Sequence, residues 1–452
     1  MARAFDLVPI PSPADRVRRT LRGVVCALGL VLAAGLASPA SATTVQRVVS
    51  PKGIEAWLVE EHAVPMIAVD FSFEGGSTQD PAGKEGITDL LSSLLDEGAG
   101  DLPSQEFQTR LEDLSVEFGF HDRADRFDGE MKTLSKNRDA AFDLLALALN
   151  RPRFDAEAVE RMRVQAITGL RRAEKNPDQI AGRRLLEAVF PGHPYGRPSE
   201  GTEASLTAIT PADLHELHRR LFVRAGLKIA VVGDIDAATL APQLDRLFAG
   251  LPAEGRRVAV AEVVPKAGGR ITVAAPIPQA VVRLGAPGLK RDDPDFMAAY
   301  VMNHILGGGS FSSWLYREVR EKRGLAYSIS TGLAPYVHAG LFLGAVGTRA
   351  EAVDETLALM RTEIARMRDT GPDAAELTAA KAYLIGSYPL RFDTSDKIAG
   401  SLLAIMIDDL GIDWIDRRNA AIEAVTLADV RRVAARLFAV EPTVVVVGPT
   451  RD

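Results

Sequence analysis

The feature that most constrains this chain is that it repeats itself once, over a very long interval. The stretch ITPADLHELHRRLF at residues 209–222 returns as VTLADVRRVAARLF at 425–438. The first copy runs on into AVVGD at 230–234, the second into VVVVG at 444–448. A second pair, DQIAGRRLL from Asp178 and DKIAGSLL from Asp396, has nearly the same displacement and the same order. A period of about 200 residues exceeds that of any solenoid repeat, so the duplicated unit is a whole domain. A chain of 452 residues is also too long for one ordinary core. Each half mixes alternating apolar stretches, MIAVDFSF and ITVAAP, with long helical patterns such as residues 156–173. The expected fold class is therefore α+β, with helices packed on a mostly antiparallel sheet in each of two similar domains. The Pro-, Gly- and charge-rich residues 251–270 read as a linker between a first domain at 43–250 and a second at 271–452.

Residues 1–42 read differently. Arg16, Arg18, Arg19 and Arg22 precede the apolar run GVVCALGLVLAAGLA, and SPASA follows it. That order predicts a signal peptide cleaved after Ala42, with an uncleaved membrane anchor as the alternative. Its removal takes five Arg and two Asp from totals of 53 basic and 60 acidic residues, leaving a net charge of −10. Such a chain offers no electrostatic footprint to nucleic acid or to an anionic membrane surface. The only cysteine, Cys26, lies inside the leader, so the exported chain has neither a disulfide nor a thiol nucleophile. No later segment is long and apolar enough to span a bilayer. The expected location is the periplasm, with no membrane attachment in the mature form.

Within the first domain, GITDLLSSLLDEGAG at 86–100 has the pattern of a short amphipathic helix. Ile87, Leu90, Leu91, Leu94 and Leu95 make one apolar stripe, opposite Asp89, Ser92, Ser93 and Asp96. His215 and His218, in HELH, have a spacing that can hold a metal. They lie, however, on the duplicated helix, whose second copy carries Val and Ala at those places, and a structural pair is the expected reading. Gly307, Gly308 and Gly309 follow a helical pattern at 295–305 but lack the context of a phosphate cradle. No Gly-x-Ser-x-Gly elbow is present, so a serine hydrolase finds no support.

Several stretches resemble the pitrilysin-like zinc metallopeptidases, family M16, which include insulin-degrading enzyme and mitochondrial processing peptidase. They are FEGGSTQDPAGKEGITDLLSSLL at 73–95, FPGHPYGRPSEGT at 190–202 and LGGGSFSSWLYREVREKRGLAYSIS at 306–330. The resemblance covers the chain from about Val45 onward and implies two homologous α/β-sandwich domains facing each other across a chamber. Active relatives carry His-x-x-Glu-His on the first-domain helix, two histidines binding zinc and a glutamate polarising water. Here Asp89 and Ser93 stand where the histidines belong, Ser92 where the glutamate belongs, and Gly169 where a third ligand belongs. Serine is a poor zinc ligand and no base near neutral pH, and glycine offers no side chain. One carboxylate makes no transition-metal site. The expectation is a degenerate metal site, no cofactor bound by this chain, and no peptide hydrolysis by the chain alone.

The resemblance further implies that Arg320 and Tyr327, in REKRGLAY, hydrogen-bond a substrate carbonyl, and that Gly307, Gly308 and Gly309 form a mobile loop beside the substrate. Trp314 departs from the arginine usual in relatives. A lost metal site beside a kept Arg/Tyr pair matches the two-subunit branch of the family. The chain is accordingly expected to pair as a heterodimer with a zinc-bearing M16 subunit around a peptide or unfolded protein. Two alternatives stand beside this reading: a structural scaffold without a peptidase role, and a self-sufficient zinc peptidase with an unrecognised site.

Overall fold

A computed structural model describes residues 44–449. The leader expected at 1–42 lies outside the described residues. The first half contributes β1 (Gln46–Val49), β2 (Glu55–Glu60) and β3 (Met66–Glu74), then a two-stranded hairpin of β4 (Gly98–Ala99) and β5 (Leu102–Pro103). It continues with β6 (Glu117–Asp122), β7 (Arg126–Leu134) and β8 (Lys228–Gly233). The second half contributes β9 (Arg270–Ala274), β10 (Gln279–Pro287), β11 (Ala326–Pro335), β12 (Gly340–Arg349) and β13 (Thr443–Gly448). The two main sheets run β1-β2-β8-β3-β7-β6 and β11-β12-β10-β13-β9. In each, one parallel pair joins the last strand of the half, β2 to β8 and β9 to β13, and all other pairs are antiparallel. Read from those pairs outward, five strands of one sheet correspond one to one with five of the other. The duplication read in the sequence is thus a duplication of topology, in two α/β sandwiches.

The repeated sequence marks a helix start. In Pro211–Leu221 and Leu427–Leu437 the Thr-x-x-Asp at the head forms a reciprocal capping box. The backbone N–H groups of Thr210 and Thr426 donate to Asp213 and Asp429 at 2.9 Å in both copies. Each box satisfies helix-end donors that would otherwise be unpaired and is worth about 1 kcal/mol.

The other repeated pair explains how the halves are joined. The helix Pro177–Val189 belongs to the first half in sequence but packs on β10 and β13 of the second sheet. There Ala181, Leu185 and Val189 meet Val281, Val445 and Val447. The helix Ser395–Ile407 makes the reciprocal move, laying Ala399, Leu402, Leu403 and Met406 on Trp57, Val59, Ala68, Ala230 and Val232 of the first sheet. This is why β3 is buried along its whole interior. Ile67, Val69, Phe71 and Phe73 face the first core, and Ala68 on the opposite face meets the borrowed helix. The linker expected at 251–270 is irregular chain. It carries no helix or strand from 252 to 269, yet it is bonded at several points. Val258 and Gln79 exchange two hydrogen bonds of 2.7 and 2.9 Å, Lys266 N–H donates to Val189, and Val263 N–H donates to His338. The polar composition that suggested a linker serves here to bind a strap across both halves.

Because Leu402 is fully buried between the halves, Leu402→Ala should destabilise the protein by about 2–4 kcal/mol. Urea unfolding should show this as a lower midpoint of one shared transition, since each sheet needs the other half's helix.

Candidate functional site

The first-domain helix is shorter than its apolar pattern. All five stripe residues are buried as expected, but the helix spans only Ile87–Ser92, and Leu94 and Leu95 enter the core from turns. The reason lies in the two serines. The Ser92 hydroxyl donates to the Asp89 carbonyl at 2.7 Å and the Ser93 hydroxyl to the Leu90 carbonyl at 2.9 Å, competing with the next helical turn. Both hydroxyl protons are therefore used on the backbone. Gly86, at φ 87°, starts the helix where a Cβ would lie 2.6 Å from the Glu200 carbonyl, so only glycine fits. That close approach brings the 200–201 turn onto the helix and Glu200 toward Asp89.

The structure brings Asp89, Ser93 and Gly169 together. They line one cavity of about 690 Å³, with Glu200, Gln165, Arg172 and Asn176 also on its wall. Ser92 is not on that wall. Burial pushes the Asp89 carboxyl up to about 7, and the negative charges of Asp122, Glu200 and Asp80 add to the effect. Asp80 is also raised to about 7 by burial, although it accepts hydrogen bonds from Thr88 and Gly86. A side chain at position 169 would meet nothing within 4 Å, so the third-ligand position is open space. Among the described residues no group of three or more His, Cys, Asp and Glu stands together to hold a metal ion. The donors at the aligned positions are one carboxylate, two hydroxyls bonded to the backbone and a glycine. Zinc does not fit that set.

A larger cavity, of about 850 Å³, lies between the halves. Asp89, Asp122, Tyr195 and Glu200 face Arg291, Tyr336 and Asp408 across it. Its rim is tied by the Tyr195 hydroxyl, which donates to Asp125 at 2.7 Å and accepts from His338 N–H at 2.9 Å. Burial and the Asp125 carboxylate both push the Tyr195 phenol well above its usual range, keeping it a neutral donor.

The second-half block forms a separate place. Arg320 sits on a π-helical turn, Tyr316–Glu321, and Tyr327 on the edge strand β11. The Arg320 guanidinium carbon is 5.0 Å from the Tyr327 ring centre. Neither residue lines the two cavities that hold Asp89. Gly307, Gly308 and Gly309 differ from the expected mobile loop. The chain continues from the helix Phe296–Asn303 into a π-helical turn, His304–Gly308, packed so closely that a Cβ at Gly307 would lie 2.4 Å from Thr331. Trp314 points inward, its indole N–H donating to Glu376 at 2.7 Å and its ring under the Arg366 guanidinium at 3.7 Å. His218 is buried, shares a 3.0 Å hydrogen bond with the Leu149 carbonyl and stacks on Phe222, while His215 meets the Phe154 ring. Burial pushes His218 down to about 4. His218 thus belongs to the core, and His215 sits half-buried at its edge.

Sequence patterns gave no signal for Asp80, Asp122 and Glu200 around Asp89, because they come from three separate segments. Phe311 and Tyr316, beside Arg320, were equally unmarked.

The profile described as Insulinase (Peptidase family M16) matches residues 57–203, and that described as Peptidase M16 inactive domain matches 208–384. The chain is similar to the non-peptidase homolog YmxG of Helicobacter pylori, 26% identical over 81% of this chain and 84% of that one. It is 27% identical to an uncharacterized zinc protease of Streptomyces coelicolor, over 90% of each chain. Among solved structures, a peptidase M16 inactive domain from Pseudomonas fluorescens superposes with a TM-score of 0.85 at 29% identity. The match covers 90% of this chain and 98% of that one.

An acid whose folded pKa lies above its unfolded value stabilises the fold while protonated, and that contribution is lost as pH rises through the folded value. For Asp89 the window runs from about 4 to about 7. Asp89→Asn should therefore melt higher than the parent at pH 8, by about 2 °C, and the gap should close by pH 4. Calorimetric scans at the two pH values check this.

Proposed function

The chain belongs to peptidase family M16 as a non-catalytic member without His-x-x-Glu-His, and on that premise we propose that it is the exported, substrate-holding subunit of a two-chain peptidase. A separate zinc-bearing M16 chain would complete the pair, and its metal would supply the activated water. Unfolded or short peptides would be the substrate. The leader-like residues 1–42 support export to the periplasm.

One observation carries the reading. Arg320 has no ion pair among the described residues and stands beside Tyr327, which is 81% exposed. Glu318, two residues before it, is already held by Lys322 and Arg323, and Glu321, next to Arg320 in the chain, makes no ion pair with it among the described residues. A guanidinium with free donors next to a free phenol can hold a peptide carbonyl and steady the charge that develops on it. The scaffold reading draws on a different observation, that Arg320 and Tyr327 lie off the walls of the inter-domain cavity.

The two separate on mutation. Mixed with a zinc-bearing M16 chain of the same organism, this protein should raise peptidase turnover. Arg320→Ala and Tyr327→Phe should each remove about 100-fold of that gain in kcat while co-elution of the two chains persists. Unchanged turnover in both variants would favour the scaffold, and a mixture no faster than the zinc chain alone would overturn the proposal.

A further inference from the structure

Around Arg320 the structure places more aromatic surface than a carbonyl clamp needs. The guanidinium carbon lies 4.7 Å from the Tyr316 ring centre, 5.0 Å from Tyr327 and 5.9 Å from Phe311. Tyr316 is buried and forms the floor. Phe311 stands on it edge to face, with ring centres 4.9 Å apart, yet remains 70% exposed. A buried floor, two exposed rings and one unpaired cation make a collar open to solvent.

The backbone on both sides is shaped to hold those rings outward. Ser310 adopts φ 46°, a left-handed conformation rare outside glycine. It opens a tight turn fixed by the Ser312 hydroxyl on Gly309 and the Ser313 hydroxyl on Ser310, and Phe311 rides at its crest. On the other side, Ala326 pairs with Thr348 and Ser328 with Gly347, so Tyr327 is the extra residue of a β-bulge in the edge strand. Bulges break the inward–outward alternation and re-aim a side chain. Two independent backbone irregularities thus present two aromatic side chains to one side of one guanidinium.

The guanidinium lies over the rings, and among the described residues its N–H groups have no acceptor. A ligand that satisfies the whole collar brings an oxygen acceptor to those N–H groups and apolar bulk to Phe311 and Tyr327. A polypeptide supplies both from neighbouring atoms, a backbone carbonyl and the side chain beside it. A phosphate would leave the rings uncovered, and a bare hydrocarbon would leave the donors unpaired. We propose that Phe311 is the specificity-determining residue of this site, selecting peptide segments with a bulky apolar side chain next to the carbonyl that Arg320 takes. This deepens the peptide-holding reading above and rests on it.

The test uses the full-length mature chain and four fluorescein-labelled unstructured peptides, alike except for one central Phe, Leu, Ala or Asp. Anisotropy titration of the parent should give Phe and Leu peptides about tenfold tighter binding than Ala, with Asp weakest. Phe311→Ala should erase the preference for Phe over Ala while leaving the Ala peptide within about twofold, and Phe311→Leu should keep most of it. The ratio between peptides is the deciding quantity, since general damage would weaken all four alike. If Arg320→Ala weakens every peptide but Phe311→Ala leaves the ratio unchanged, the specificity assignment fails and the peptide-holding reading stands. If Arg320→Ala changes nothing, or the parent binds none of the four, the reading beneath it fails as well.

Discussion

Everything in this molecule depends on the exchange of one helix between its halves. Each sheet has its own helices on one face and leaves the other face apolar, and that second face is covered by the partner half's helix. Ala181, Leu185 and Val189 close one sheet, and Ala399, Leu402 and Met406 close the other. A sheet with two apolar faces is stable only when both are covered. The two domains are therefore parts of one interlocked body from Val45 onward rather than beads on a tether. The cavity between them follows, because the exchange fixes its walls. The strap at 252–269 and the Tyr195–Asp125–His338 contacts then tie the rim.

Inside that frame the first-domain site has the outline of a metal centre with other contents. The glycine that starts the helix, the turn that carries Glu200 and the open space at Gly169 still bring the aligned positions to one cavity. What fills them is a half-buried carboxylate facing other carboxylates, with its proton affinity raised by burial and like charge. A site of this kind stores unfavourable electrostatics, and its donors do not suit zinc. On the far block the opposite holds, with a permanent cation that has no counter-charge among the described residues and lies over aromatic rings. The two halves have diverged in chemistry while keeping one topology.

Much of this was legible in the sequence, and the rest was hidden for identifiable reasons. The duplication showed directly, because Thr210/Asp213 and Thr426/Asp429 make the same capping box in both copies. The buried stripe from Ile87 to Leu95 was legible through its spacing. The helix end at Ser92 was not, since it depends on two serines bonding backward to the main chain. The strap at 252–269 read as a linker because Pro, Gly and charge mark irregular chain, and that composition does not say where the chain is bonded. The three glycines at 307–309 suggested freedom, whereas they permit a π-helical turn to pack against Thr331 and His304. The repeated DQIAG and DKIAG segments were visible as a pair. Their reciprocal docking was not, because periodicity reports that a face is apolar and not which sheet it will cover.

The central claim is that the first-domain site holds no zinc, so that this chain depends on another for hydrolysis. It is tested most directly by equilibrium dialysis of the purified mature chain against micromolar zinc, followed by elemental analysis of the protein. The account predicts far less than one zinc per chain, unchanged in Asp89→Ala. One zinc per chain in the parent, lost in Asp89→Ala, would contradict it.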